Sequence, residues 1–78
     1  MTSRMALLVA ESLGDETLVA GIERSSRFSD DLGMDSLDFV DLLLKVDERF
    51  GIRIPVEIAT EIQTVGQLAD YVEKASGN

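Results

Sequence analysis

The sequence predicts an all-α domain, a small four-helix bundle with a short third helix and a long loop between helices 1 and 2. Three observations predict it. Apolar residues recur at spacings of three and four in three separate stretches, and no stretch carries a strand signal. Gly14, Gly51 and the single proline, Pro55, fall between those stretches as breaks. The 78 residues include no Cys and no His, so no disulfide or thiolate metal site can staple the fold and helix packing must supply the core. A chain this short buries a limited part of its surface, and its stability should be marginal.

Helix 1 is expected over Ser3–Leu13, where Met5, Leu8, Val9 and Leu13 share one face and Gly14 is the stop. Residues 14–27 make a connection longer than most inside compact domains. Leu18, Val19 and Ile22 are expected to pin it to the core, with room for a short helical turn. Helix 2 is expected over Ser36–Phe50, with Phe39, Val40, Leu43, Val46 and Phe50 as its apolar stripe, Leu42 widening it and Gly51 as the C-cap. Ile52–Ile54 should be extended, because the residue before a proline avoids the helical region. Pro55 suits the first turn of a short helix 3 over Pro55–Glu61. Thr64 starts helix 4. Its hydroxyl can accept from a free backbone N–H while Gln67, three residues on, reaches back. Val65, Leu68, Ala69 and Val72 form the buried stripe of that helix, and Ser76-Gly77-Asn78 is expected to fray. With no repeat, low-complexity tract or linker, residues 1–78 read as one domain.

The formal net charge of −8 argues against nucleic acid or an anionic membrane as a partner and favours proteins with basic surfaces. No apolar run approaches a membrane span. The apolar stretch after Met1-Thr2-Ser3-Arg4-Met5 is short and interrupted by Glu11, which makes a poor signal peptide. A cytoplasmic monomer is the expectation.

The richest stretch is Asp31-Leu32-Gly33-Met34-Asp35-Ser36-Leu37-Asp38. A turn with a flexible glycine delivers one hydroxyl, Ser36, to the start of an amphipathic helix. No histidine exists to activate it, and the only lysines are Lys45 and Lys74, so a Ser-based hydrolase is not expected. The acids around it lack the alternating spacing and closing glutamate of a calcium loop. Ser36 is thus poorly equipped to catalyse and well placed to be modified by another enzyme. A negatively charged group added there would sit at a helix N-terminus, which favours negative charge. Gly33 permits backbone geometry that a side chain would hinder. Asp35 has two readings, a helix cap and a recognition residue.

This motif, with Phe28 and Leu32 before it and Phe50, Ile54-Pro55 and Thr64-Val65 after it, resembles the acyl carrier proteins from about Phe28 to Val72. The resemblance implies a right-handed four-helix bundle that carries no catalytic residue. It implies that Ser36, flanked by Gly33, Asp35 and Leu37, is the attachment point of 4′-phosphopantetheine. A phosphopantetheinyl transferase would donate the group from coenzyme A. Its thiol would then carry acyl groups between enzymes of fatty acid, polyketide or related biosynthesis. Asp38, Asp41 and Glu48 lie at spacings of three and seven, and Asp35 and Asp47 are read as extending that side. Like charges so placed cost helix stability, and Lys45 can offset Asp41 at i, i+4. The resemblance implies a use for the acids, docking to basic patches on synthases, transferases and reductases. It also makes Leu42, Val46, Ala59, Ile62 and Leu68 candidates to line an acyl pocket, although a small bundle needs the same residues as plain core.

Several residues depart from the family pattern. Phe39 replaces a small or polar residue, Arg49 and Arg53 replace acids, and Val56 and Ile58 make helix 3 more apolar. These point to a specialised carrier with its own partners. The alternatives are an aminoacyl or peptidyl carrier, against which Asp35 and the net charge speak, and a helical interaction module with no prosthetic group.

Overall fold

In the computed structural model, which describes residues 2–76, four α-helices and one 3₁₀ helix surround a single apolar core. Helix α1 runs Thr2–Leu13, α2 Ser36–Phe50, α3 Val56–Ala59 and α4 Val65–Ala75. The 3₁₀ helix, Glu16–Gly21, is the helical turn allowed for in the long connection. The one β feature among the described residues is an isolated antiparallel bridge between Arg27 and Thr64.

The core follows from where each helix points its apolar face. Helix α1 packs against both α2 and α4. It buries Met5, Leu8 and Val9 as its spacing predicts, together with Ala6 and Ala10, whose small side chains let the neighbouring helices approach. Leu42 and Val46 of α2 and Val65, Leu68, Ala69 and Val72 of α4 meet this face with no solvent exposure.

Two apolar assignments change. Leu18 faces solvent while Val19 is half-buried and Ile22 buried. A 3₁₀ helix has three residues per turn, so Val19 and Ile22 line up and Leu18 falls off that line. On α2 the deepest residues are Leu42 and Val46, with Phe39, Leu43 and Phe50 half-buried, and Val40 is turned out to solvent. Val40 lies two residues from Leu42, roughly 200° round the helix, and cannot share its face.

The helix ends are set by local caps. Gly51 ends α2, donating its N–H to the Asp47 carbonyl at 2.8 Å. Beyond it Ile52 and Ile54 are buried and Arg53 between them is exposed, the alternation of extended chain. Pro55 caps α3, which is shorter than the expected Pro55–Glu61, the last two residues forming only a turn. Thr64 caps α4 and closes the expected reciprocal pair with Gln67: Thr64 Oγ1 accepts from the Gln67 N–H at 3.2 Å, and Gln67 Oε1 accepts from the Thr64 N–H at 3.1 Å. Ser76 caps the other end of α4, and its Oγ donates to the Glu73 carbonyl at 2.8 Å. Gly77 and Asn78, the rest of the expected frayed tail, lie outside the described residues.

Candidate functional site

Ser36 is positioned by contacts between the long loop and the start of α4. The first turn of α4 has free N–H groups, and the long loop supplies their acceptors. The Val65 N–H donates to the Ser26 carbonyl at 3.0 Å and the Gly66 N–H to the Arg24 carbonyl at 2.9 Å. The loop lies so close that a Cβ on Gly66 would stand 3.0 Å from both the Cβ and the carbonyl oxygen of Arg24. Arg24 also reaches Asp70 of α4 at 2.6 Å and the Thr2 hydroxyl of α1 at 2.9 Å, which joins the loop to two helices. The buried Ser26 hydroxyl accepts from the Glu23 N–H at 2.9 Å. Phe28 donates its N–H to the Gln63 carbonyl at 3.0 Å and takes the Met34 N–H on its own carbonyl at 2.8 Å. Phe28 and Met34 are both buried, so the five-residue excursion between them is anchored at each end. It turns through Gly33 at φ +66°, the left-handed region that favours glycine. A side chain there would meet nothing within 4 Å, so backbone conformation and not crowding calls for the glycine.

The anchored turn hands the chain to Asp35, which caps α2. Asp35 Oδ1 accepts from the Asp38 N–H at 2.9 Å, and Asp38 Oδ2 accepts from the Asp35 N–H at 3.3 Å. Neither bond uses the Ser36 hydroxyl, and among the described residues the N–H groups of Ser36 and Leu37 have no acceptor. The two capped helices therefore differ in one respect. At α4 the free N–H groups are taken by the protein's own loop. At α2 they stay open beside an exposed serine, where unsatisfied donors and the helix dipole favour an anion. Leu37 next to it is 80% exposed, so the surroundings are open as well. An exposed hydroxyl to esterify, two free N–H groups and this open surface fit a phosphodiester that carries a long arm.

A groove of about 420 Å³, open to solvent, runs beside Ser36. Phe28, Met34, Phe39, Ala59 and Ile62 supply its apolar lining. The rings of Phe28 and Phe39 pack at a centroid distance of 5.1 Å, tilted by 50°. Of the residues considered for an acyl pocket, Ala59 and Ile62 line this groove. Leu42, Val46 and Leu68 do not, and all three are fully buried in the core.

The outer side of α2 carries the acids. Asp38, Asp41 and Glu48 are exposed. Lys45 holds Asp41 at 3.1 Å, the i, i+4 pair the spacing predicts. Glu48 enters none of the ion pairs among the described residues. Asp47 departs from the expected arrangement. It is one residue before Glu48, so roughly 100° round the helix, and it faces Arg53 at 4.0 Å. Arg49 is likewise committed, to Glu11 of α1 at 2.8 Å. Beside the acids lies an apolar row that the sequence reading did not single out. Leu37, Val40 and Leu44 are 80%, 53% and 58% exposed. Their spacing of three and four is the signal that could have revealed it, since it makes a second stripe across the helix from Leu42 and Val46.

A helical bundle that spends its loop on presenting one unactivated serine at an open helix N-terminus belongs to the class of domains that are modified in order to carry something. The family model for the phosphopantetheine attachment site matches residues 3–72, and the chain belongs to that family. Its members are carrier domains with a covalently attached 4′-phosphopantetheine, whose terminal thiol holds the cargo as a thioester. No helix among the described residues is long and apolar enough to cross a membrane. No cluster of three or more His, Cys, Asp or Glu side chains placed to hold a metal occurs among them.

Proposed function

We propose that Ser36 is the residue that takes the 4′-phosphopantetheine, and that residues 1–78 work as one acyl carrier protein of fatty acid, polyketide or related acyl-chain biosynthesis. The observation that carries the assignment to Ser36 is the open N-terminus of α2 under an exposed hydroxyl. Its N–H groups would hold the phosphate, Gly33 and the anchored turn keep the approach clear, and Asp35 and Leu37 flank the hydroxyl that a phosphopantetheinyl transferase must reach. Acyl rather than aminoacyl cargo follows from Asp35 and the charge of −8. We assign the reaction chemistry to the partners and the cytoplasm as the setting.

Partner enzymes would dock on α2. Asp35, Asp38, Asp41 and Glu48 give the long-range attraction to basic patches, and Leu37, Val40 and Leu44 give the apolar contact once the surfaces meet. Asp47 stands aside from this face and contributes less, because it lies roughly 100° round the helix from Glu48.

The test is the intact mass before and after incubation with coenzyme A and a broad-specificity transferase. The expected result is a gain of one phosphopantetheine unit in the wild type and none in a folded Ser36→Ala variant. A folded, unmodified wild type that gains nothing defeats the carrier reading and leaves an interaction module. A gain that survives Ser36→Ala moves the attachment elsewhere.

A further inference from the structure

Phe39 stands three residues after Ser36 and three before Leu42, on the side of α2 between the attachment hydroxyl and the core. The groove beside Ser36 touches Phe39 and stops there, since the next buried residues inward, Leu42, Val46 and Leu68, take no part in its lining. The ring is half-buried and held by Phe28, which is itself buried and pinned by two backbone hydrogen bonds. A chain that passes along α2 from Ser36 toward Leu42 must therefore move a ring that has a fixed partner.

We propose that Phe39 is a specificity-determining residue that plugs the way from Ser36 to the core, so that this carrier keeps acyl chains of few carbons in the open groove. The inference rests on the carrier reading with Ser36 as the attachment residue. The groove suits such cargo. Its volume of about 420 Å³ is near the lower end of small-molecule sites, and its apolar floor is met by Arg27 and Gln63 at the rim. Arg27 is held near Asp30 at 3.7 Å, and Gln63 is fixed by its carbonyl bond from Phe28, so the rim is as anchored as the floor. Short chains that bear a polar group would meet apolar and polar surface together there. A long saturated chain would gain little from the groove and would need the interior.

The test loads the wild type, Phe39→Ala and the milder Phe39→Leu with acetyl, butyryl, hexanoyl and octanoyl groups, using the transferase and the matching acyl coenzyme A. Mass spectrometry confirms loading, and methyl NMR follows Leu42, Val46 and Leu68. The expected result is that these core methyls first move at a longer chain in the wild type than in Phe39→Ala, with Phe39→Leu between. The same threshold in all three overturns the proposal, as does a core that stays unmoved through octanoyl in Phe39→Ala. If Phe39→Ala does not fold, the comparison of wild type with Phe39→Leu decides in the same way. A mass that never increases defeats the carrier reading itself, a failure distinct from loaded protein with an unshifted threshold.

Discussion

Asp35 caps α2 and is proposed to be read by the transferase, two roles that substitution can separate. As the N-cap of α2 it accepts the Asp38 N–H at 2.9 Å, while the return bond from its own N–H to Asp38 is longer, at 3.3 Å. Most of the capping energy thus sits in one bond. Asp35→Ala removes it and should cost about 1 kcal/mol, which for a domain of this size lowers the Tm by about 4–8 °C. Asp35→Asn keeps a side-chain oxygen at the cap. It loses the charge–dipole contribution of about 0.3–1 kcal/mol but relieves the repulsion from Asp38 by a few tenths. Its expected stability is within about 0.5 kcal/mol of the wild type. The proposed recognition role has the transferase read the charge as well as the fold. With both variants held well below their melting points, each should take up phosphopantetheine about tenfold more slowly, the loss of roughly 1.4 kcal/mol of contact with a charged group. Circular dichroism melts and a time course of intact mass measure the two effects. Loading of Asp35→Asn at the wild-type rate would refute the recognition role, and an undiminished Tm in Asp35→Ala would refute the capping argument.

Gly66→Ala sets two effects against each other. Alanine in a helix gains about 1 kcal/mol over glycine, and forcing a Cβ to 3.0 Å from the Arg24 carbonyl costs about 1–3 kcal/mol. The expected outcome is a lower Tm with displaced Phe28 and Met34 resonances, and a raised Tm would show that the loop rides freely on α4. Asp70 responds to acid. Its hydrogen bond from Arg24 holds its carboxyl below the usual 3.8, so the contribution to stability is complete above that value and lost as pH falls through the lower, folded-state value. The stability gap between wild type and Asp70→Asn should hold constant above about pH 5 and close below about pH 4, and a gap that persists in acid denies the linkage. Glu48→Gln should weaken partner docking at low salt and not at high salt, and Leu44→Gln should weaken it at both. Both should keep the wild-type Tm, and binding titrations at two ionic strengths separate the cases.

Helix α2 was legible in the sequence to both ends because its signals are local: a capping residue before Ser36, a stripe at helical spacing, and Gly51 after Phe50. The same holds for Thr64 and Gln67 at α4. What the sequence hid depends on pairs far apart in the chain. Nothing in the local text around Arg24 and Ser26 says that their carbonyls will take the N–H groups of Gly66 and Val65, some forty residues later. That contact orders a connection whose length alone reads as slack, and it decides where Ser36 stands. Leu37, Val40 and Leu44 were hidden for a different reason. Two apolar stripes on one helix blur into each other, and only packing against α1 shows which is covered.

Phe39 joins both kinds of information. Its identity marked it as unusual, but its effect comes from Phe28, eleven positions earlier, against which its ring is held at 5.1 Å. That contact also sets how far the plug should matter. Removing a fully buried phenylalanine costs about 3–5 kcal/mol, so displacing a half-buried one costs about 2 kcal/mol. Burying one methylene returns about 0.8 kcal/mol. A chain must therefore bury about two to three methylenes in the interior before moving the ring is repaid. On that arithmetic the wild-type threshold lies about two to three carbons beyond that of Phe39→Ala. A difference of that size would identify the ring as the obstacle. A difference much smaller would mean that the core side chains beneath it, Leu42 and Val46, resist the chain more than Phe39 does.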